Sequence, residues 1–134
     1  MNALTSAIYT KLIGGTALTS LLAGTASVYY NAAPDDAPLP HVVFSYQSQI
    51  EENQTPSRMK DAMVYIRGYT DVSSAAAGNI ATQIDNLFHA GSVTATGWTN
   101  FWTSLESEVE YFEITPNGER IHNAGGVYRI RLGS

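Results

Sequence analysis

Residues 28–46 read VYYNAAPDDAPLPHVVFSY, and three of the chain's five prolines fall inside this stretch. Pro34, Pro38 and Pro40 each fix φ and lack an amide donor, so neither a helix nor a regular ladder can cross residues 33–40. The residues before them, Ala33, Ala37 and Leu39, are pushed into extended geometry. The stretch predicts a short strand, a stiff proline hinge, and then a strand over His41 to Glu51. Its upstream side is helical in pattern and its downstream side is β-rich.

Upstream, Leu4, Ala7, Ile8 and Leu12 recur at helical spacing, which predicts an amphipathic helix over Asn2 to Ile13 stopped by Gly14-Gly15. A second, shorter helix is expected from Ala17 to Ala23, turning Leu18, Leu21 and Leu22 inward and ending on Gly24. The pair has too little apolar surface to stand alone and needs a sheet beneath it. Ala26 to Tyr30 is the expected first strand.

Downstream, Val42, Phe44 and Tyr46 alternate with Val43, Ser45 and Gln47, so one face of that strand should be core. The polar run EENQTPSRMKD, residues 51–61, has no apolar period and contains Pro56, which predicts a long exposed arm. Ala62, Val64 and Ile66 resume alternation towards Tyr69, so the arm should join two antiparallel neighbours. Asp71 or Ser73 is positioned to cap a helix with a stripe of Ala76, Ile80, Ile84, Leu87 and Phe88. Ser92 to Trp102 is rich in Thr, Val and aromatics, with a break expected at Gly97. Leu105 to Thr115 reads as a strand with Glu106, Glu108 and Glu110 on one face and Leu105, Val109 and Tyr111 on the other. Pro116-Asn117-Gly118 supplies turn chemistry. Ile121 to Leu132 then closes a hairpin, with Tyr128, Ile130 and Leu132 inward and Arg129 and Arg131 set to offset the glutamates. Gly133-Ser134 carries no structural weight in this reading. The order predicts an α+β fold, a mostly antiparallel sheet with helices packed on one face, forming a single domain over residues 1–134.

Charge narrows the function. Twelve acidic residues against seven basic ones leave a net charge of −5, so a basic footprint for gripping nucleic acid is missing. Cysteine is absent, which removes disulfides, thiol nucleophiles and thiolate metal sites and fits an intracellular product. The N-terminal apolar run is interrupted by Lys11 and Gly14-Gly15 short of the ~20 residues a span needs, so a soluble chain is expected.

No catalytic or metal site emerges, and no cofactor is implied. His41, His89 and His122 sit on different predicted elements without metal-ligand spacing. General acid–base work needs two carboxylates in different environments facing one pocket; the row Glu106, Glu108 and Glu110 reads instead as a solvated face. Gly14-Gly15 and Gly125-Gly126 complete no phosphate-binding loop. Trp98, Phe101 and Trp102 form the densest aromatic patch, read first as core packing and second as an interface anchor. The arm carries Glu51, Glu52, Arg58, Lys60 and Asp61, a mixed-charge set that suits subunit-to-subunit pairing in a ring.

The order of parts resembles the tail terminator, or tail completion, proteins of long-tailed bacteriophages. The features that carry it are the strand Val28 to Tyr30, the acidic proline hinge Ala33 to Pro40, the lead-in Leu39-Pro40-His41-Val42-Val43 and the arm Glu51 to Asp61. The strand and helix over Ala62 to Phe88 and the closing Val127-Tyr128-Arg129-Ile130-Arg131 complete it. The resemblance implies a structural virion protein, self-assembled as a ring commonly of six subunits. Such a ring sits on the tail tube protein, ends tube growth and meets the head–tail connector, with DNA passing through unbound. Two other readings fit the composition: a different neck ring protein such as a head-completion connector, and a small α+β enzyme or ligand-binding module.

Overall fold

The computed structural model describes residues 2–24, 27–34, 36–51, 58–89, 91–114, 116 and 118–133. Its centre is a five-stranded sheet in the order β1-β2-β3-β5-β4. The strands are β1 (Val28–Tyr30), β2 (His41–Glu51), β3 (Met59–Thr70), β4 (Thr99–Ile114) and β5 (Arg120–Gly133); the helices are α1 (Asn2–Gly14), α2 (Thr16–Thr19) and α3 (Ser74–Phe88). Three of the strand pairings are antiparallel, and β1 alone runs parallel to its neighbour β2. The fold is α+β, as the element order predicts.

The proline hinge makes that parallel pairing possible. Asn31 leaves β1 with φ at +67° and the Leu39–Pro40 peptide is cis. After the hinge the chain returns beside Tyr30 in the same direction, with Val28 opposite Val42 and Tyr30 opposite Phe44. Val42 N–H donates to the Ser27 carbonyl at one end and Asn31 N–H to the Phe44 carbonyl at the other, both at 2.9 Å.

One sheet face is covered by helices. Leu4, Ile8 and Leu12 of α1 and Ile80, Ile84 and Phe88 of α3 close over Val42, Phe44, Val64, Ile66, Tyr128, Ile130 and Leu132. The stripe of α1 is the one the sequence predicts; in α3 Ile80, Ile84 and Phe88 are buried as expected, with Ala77 in place of Ala76 and Leu87 half-buried. Ser73 caps α3, its hydroxyl accepting from Ala76 N–H at 3.1 Å. Helix α3 lies so close to β3 that a Cβ on Gly68 would collide with the Ile80 side chain. At the rim Tyr46 shares a 2.8 Å hydrogen bond with Thr5, and burial pushes its phenol up to about 12, against the opposing pull of that bond.

Several expectations are corrected. Helix α2 ends at Thr19, and the chain turns so that Leu18 and Leu22 are buried while Leu21 is 38% exposed. The strand after the arm starts at Met59, before Ala62, so the ladder takes up the arm's flank: Glu51 pairs with Lys60 and Ile50 with Asp61. Residues 91–98 form no strand, while β4 starts at Thr99 and continues through Leu105 past an extra residue at Phe101. Gly133 closes β5, paired with Met59 and Thr99.

Candidate functional site

The acidic strand is where alternation misleads. Leu105 faces Tyr128, but Ser107 faces Val127 and Glu108 faces Gly126, so Glu106 is an extra residue in β4. A bulge of this kind shifts every later side chain to the opposite face. Cross-strand partners share a face; Glu108 and Glu110 therefore lie on the helix-covered side with Leu105, while Val109 and Tyr111 lie on the other. The expected grouping of Leu105 with Val109 and Tyr111 fails for that reason.

The same shift removes the expected offset by the arginines. Arg129 lies on the opposite face, with its Nε 3.0 Å from both Asp61 carboxylate oxygens and Nη2 also bonded to Oδ2. Arg131 lies over the Phe101 ring at 5.5 Å. Asp61, read from sequence as part of an exposed arm, is therefore a buried ladder residue in an ion pair. Glu51 remains exposed and pairs with Arg58, with Lys60 Nζ 4.0 Å away. Glu52 lies outside the described residues.

What the bulge brings together is an acidic groove. Asp85 of α3 and Glu108 and Glu110 of β4 line an open cavity of about 490 Å³, floored by Gly78, Ala81 and Ala124. The Tyr128 hydroxyl donates to Asp85 at 3.0 Å. Burial first, then the Asp85 and Glu108 charges, push that phenol well above its ordinary range, so it stays a neutral donor. Glu108 and Glu110 are exposed. The groove can attract cations and repel phosphate. The glutamates advertise themselves in the sequence; their convergence with Asp85 depends on a bulge that no residue type there announces.

The histidines do other work. His41 Nδ1 lies 3.2 Å from the Pro38 carbonyl, and burial lowers its affinity for a proton, partly offset by that contact. His89, which follows the last turn of α3, uses Nδ1 to accept Leu105 N–H at 3.2 Å. His122 Nδ1 is 3.1 Å from the Ser74 hydroxyl. Among the described residues no group of three or more His, Cys, Asp or Glu could hold a metal ion, and no helix is long and apolar enough to cross a membrane.

The aromatic patch divides. Trp98 packs against the core, whereas Phe101 and Trp102 are about half exposed on β4. Farther along the same strand, Tyr111, Phe112 and Ile114 are also exposed. The sheet face without helices holds a cation between rings: Arg67 stacks on Tyr65 at 4.3 Å and on Tyr69 at 5.4 Å. Beside it both amide atoms of Asn123 are buried with no hydrogen-bond partner among the described residues.

The distinctive surfaces are thus a long edge strand, a sheet face without helices and an open acidic groove. Residues 6–115 match the family described as "Tail completion protein gp17", and the chain belongs to that family. It is accordingly a structural component of a bacteriophage-type virion tail. The match takes in α1 to β4 and leaves β5 outside. No curated protein matches the sequence. Among solved structures, a chain from the "Virion of native gene transfer agent (GTA) particle" is similar with a TM-score of 0.72 at 16% identity, covering 99% of this chain and 96% of that one. The gp17 protein of bacteriophage SPP1 gives a TM-score of 0.52 at 19% identity, covering 98% and 88%. At such identities both likenesses speak to the fold.

Proposed function

We propose that this chain assembles into a ring, with six subunits the expected number, that caps the tail tube. The ring ends tube polymerisation and joins the tail to the head connector. The observation that carries this reading is the family match over residues 6–115. The molecule acts by contact and without catalysis: Glu108 and Glu110 of its acidic groove are exposed to solvent, and the Asp85 carboxylate is engaged by the Tyr128 hydroxyl. Its partners are further copies of itself, the major tail tube protein and the head–tail connector. The arm bearing Glu51, Arg58 and Lys60 is one candidate contact between subunits.

DNA passes through such a ring without specific binding. A net charge of −5 supports this, and any of Glu106, Glu108 and Glu110 that line the lumen would repel phosphate. With screening over ~8 Å, only lumen residues count. The protein then resides at the tail end or neck, assembled in the host cytoplasm.

Electron microscopy of particles assembled without this protein tests the reading. Overlong tail tubes are expected. Detached tails of normal length would transfer the chain to the neck as a head-completion connector instead.

A further inference from the structure

The sheet ends in two unlike edges. At one side β1 is three residues long and uncharged; at the other β4 is sixteen residues long and acidic. The first half of the β4 edge is closed by the chain's own side chains: His89 Nδ1 takes Leu105 N–H, and Asn100 Nδ2 donates to the Trp102 carbonyl at 3.1 Å. The second half, residues 107–114, has no such cover. Among the described residues no backbone group outside the sheet bonds to it, and Tyr111, Phe112 and Ile114 are exposed along it. A long bare edge of this kind is a template for another strand.

We propose that the distal edge of β4 receives the β1 edge of a second copy, so that the sheets of neighbouring subunits run on from one to the next. Charge selects this occupant. Pairing β4 with itself across a two-fold axis sets Glu108 and Glu110 of one copy along the same face as those of the other, and like charges across a ladder are destabilising. The β1 edge carries Val28, Tyr29 and Tyr30 and no charge.

The faces also agree. Tyr30 packs on Phe44 on the helix-covered side, and Phe112, paired with His122, lies on that side too. Tyr29, beside the ring of His41, shares the uncovered face with Tyr111. A continuous sheet therefore sets Tyr30 among Glu110, Phe112 and Ile114, and Tyr29 near Tyr111. Aromatic cross-strand pairs of this sort favour the register.

Because the two edges differ, the contact is heterologous: it propagates head to tail and closes only as a ring. It is also short. Alternation along β1 turns the backbone groups of Val28 and Tyr30 outward, and the Tyr30 carbonyl is already taken by Ala32 N–H. So slight a junction holds when many copies are lined up on the tube and not between two free monomers. The inference rests on the ring reading above.

The absence of native cysteine makes the test direct. Tyr30→Cys and Phe112→Cys are built singly and together, at positions 43% and 51% exposed, and assembled tails are treated with a short bismaleimide. The double variant is expected to give a ladder of covalent oligomers, and each single variant to stay monomeric. A covalent dimer from Phe112→Cys alone, or no ladder where microscopy shows a ring on the same tails, overturns the edge pairing. Tails that carry the protein without any ring defeat the ring reading itself. Thermal melting of each variant, expected at the parent temperature, certifies that the chains are folded.

Discussion

Strands β4 and β5 pair along their whole length, yet they inhabit different environments. From Asn123 to Tyr128 every residue of β5 is buried, whereas β4 between Glu106 and Ile114 is almost wholly exposed. The sequences do not explain this. β5 contains Asn123, Arg129 and Arg131, while β4 contains Val109, Tyr111, Phe112 and Ile114. What differs is position: β5 is flanked by β3 and β4 and roofed by α3, while β4 has a neighbour on one side only. Polar side chains are thereby drawn into an interior strand and apolar ones left on an edge. Burial in a sheet is a property of rank among the strands as much as of residue type.

Mutations separate the two strands. The largest effect is expected on β5, where Ile130→Ala opens a cavity at a fully buried site and lowers unfolding free energy by about 2–5 kcal/mol in denaturant titrations. A loss as small as that of a surface change would mean that β5 is not the central strand described.

Next comes the cross-sheet ion pair on the same strand. Arg129→Ala strands the Asp61 carboxylate, whose side chain is 7% exposed, and should cost roughly 2–4 kcal/mol, somewhat below a fully buried pair because Arg129 is 37% exposed. Asp61→Asn should cost less, ~1–2 kcal/mol, since the guanidinium it leaves can turn to solvent. The reverse order in paired equilibrium unfolding curves would contradict the arrangement.

Smaller again is the helix that roofs β5. Ser73→Ala removes the hydroxyl that accepts from Ala76 N–H and should cost about 1 kcal/mol, with Ser73→Asp close to the parent.

On the far side of the sheet the effect is graded with pH. Burial holds His41 below its usual value of 6.5, so the unfolded chain takes up a proton first as the medium is acidified. The stability linked to His41 is complete above that value and declines as pH falls through it towards the lower folded value. Melting temperatures of the parent should drop between about pH 7.5 and about pH 5, and His41→Gln should flatten that drop. An unchanged slope would release His41 from the account.

The smallest effect belongs to β4. Ile114→Ser, at a side chain 64% exposed, should leave stability within ~0.5 kcal/mol of the parent. A drop comparable to Ile130→Ala would show that the edge is part of the core.

Much of the fold is legible from local pattern. Helices α1 and α3 announce themselves because a 3.6-residue stripe of Leu and Ile has one way to be buried, and Ser73 supplies the cap. The bounds of β2 are legible, since the hinge fixes its start and the polar arm its finish, but not the extra residue Gln47 that shifts its register after Tyr46. β1 is only partly legible: three residues show that a strand exists but not that it runs parallel to the next. The acidic groove is barely legible, because alternation has a period of two and a single extra residue at Glu106 inverts everything after it. The arginine partners fail on the same count. Arg129 finds Asp61 on β3, a residue 68 positions away, where sequence pattern looks to the nearer glutamates.

The sequence by itself determined where the chain turns, which faces of α1, β2 and α3 are apolar, that the net charge is negative and that cysteine is absent. These follow from φ restriction, periodicity and composition, all local or additive. Only the tertiary structure decided that the hinge returns β1 parallel to β2, that β5 lies inside and β4 at the edge, and that a bulge turns two glutamates towards Asp85. Each of these depends on which strands become neighbours, a choice set by long-range packing and hydrogen bonding that no window of residues contains.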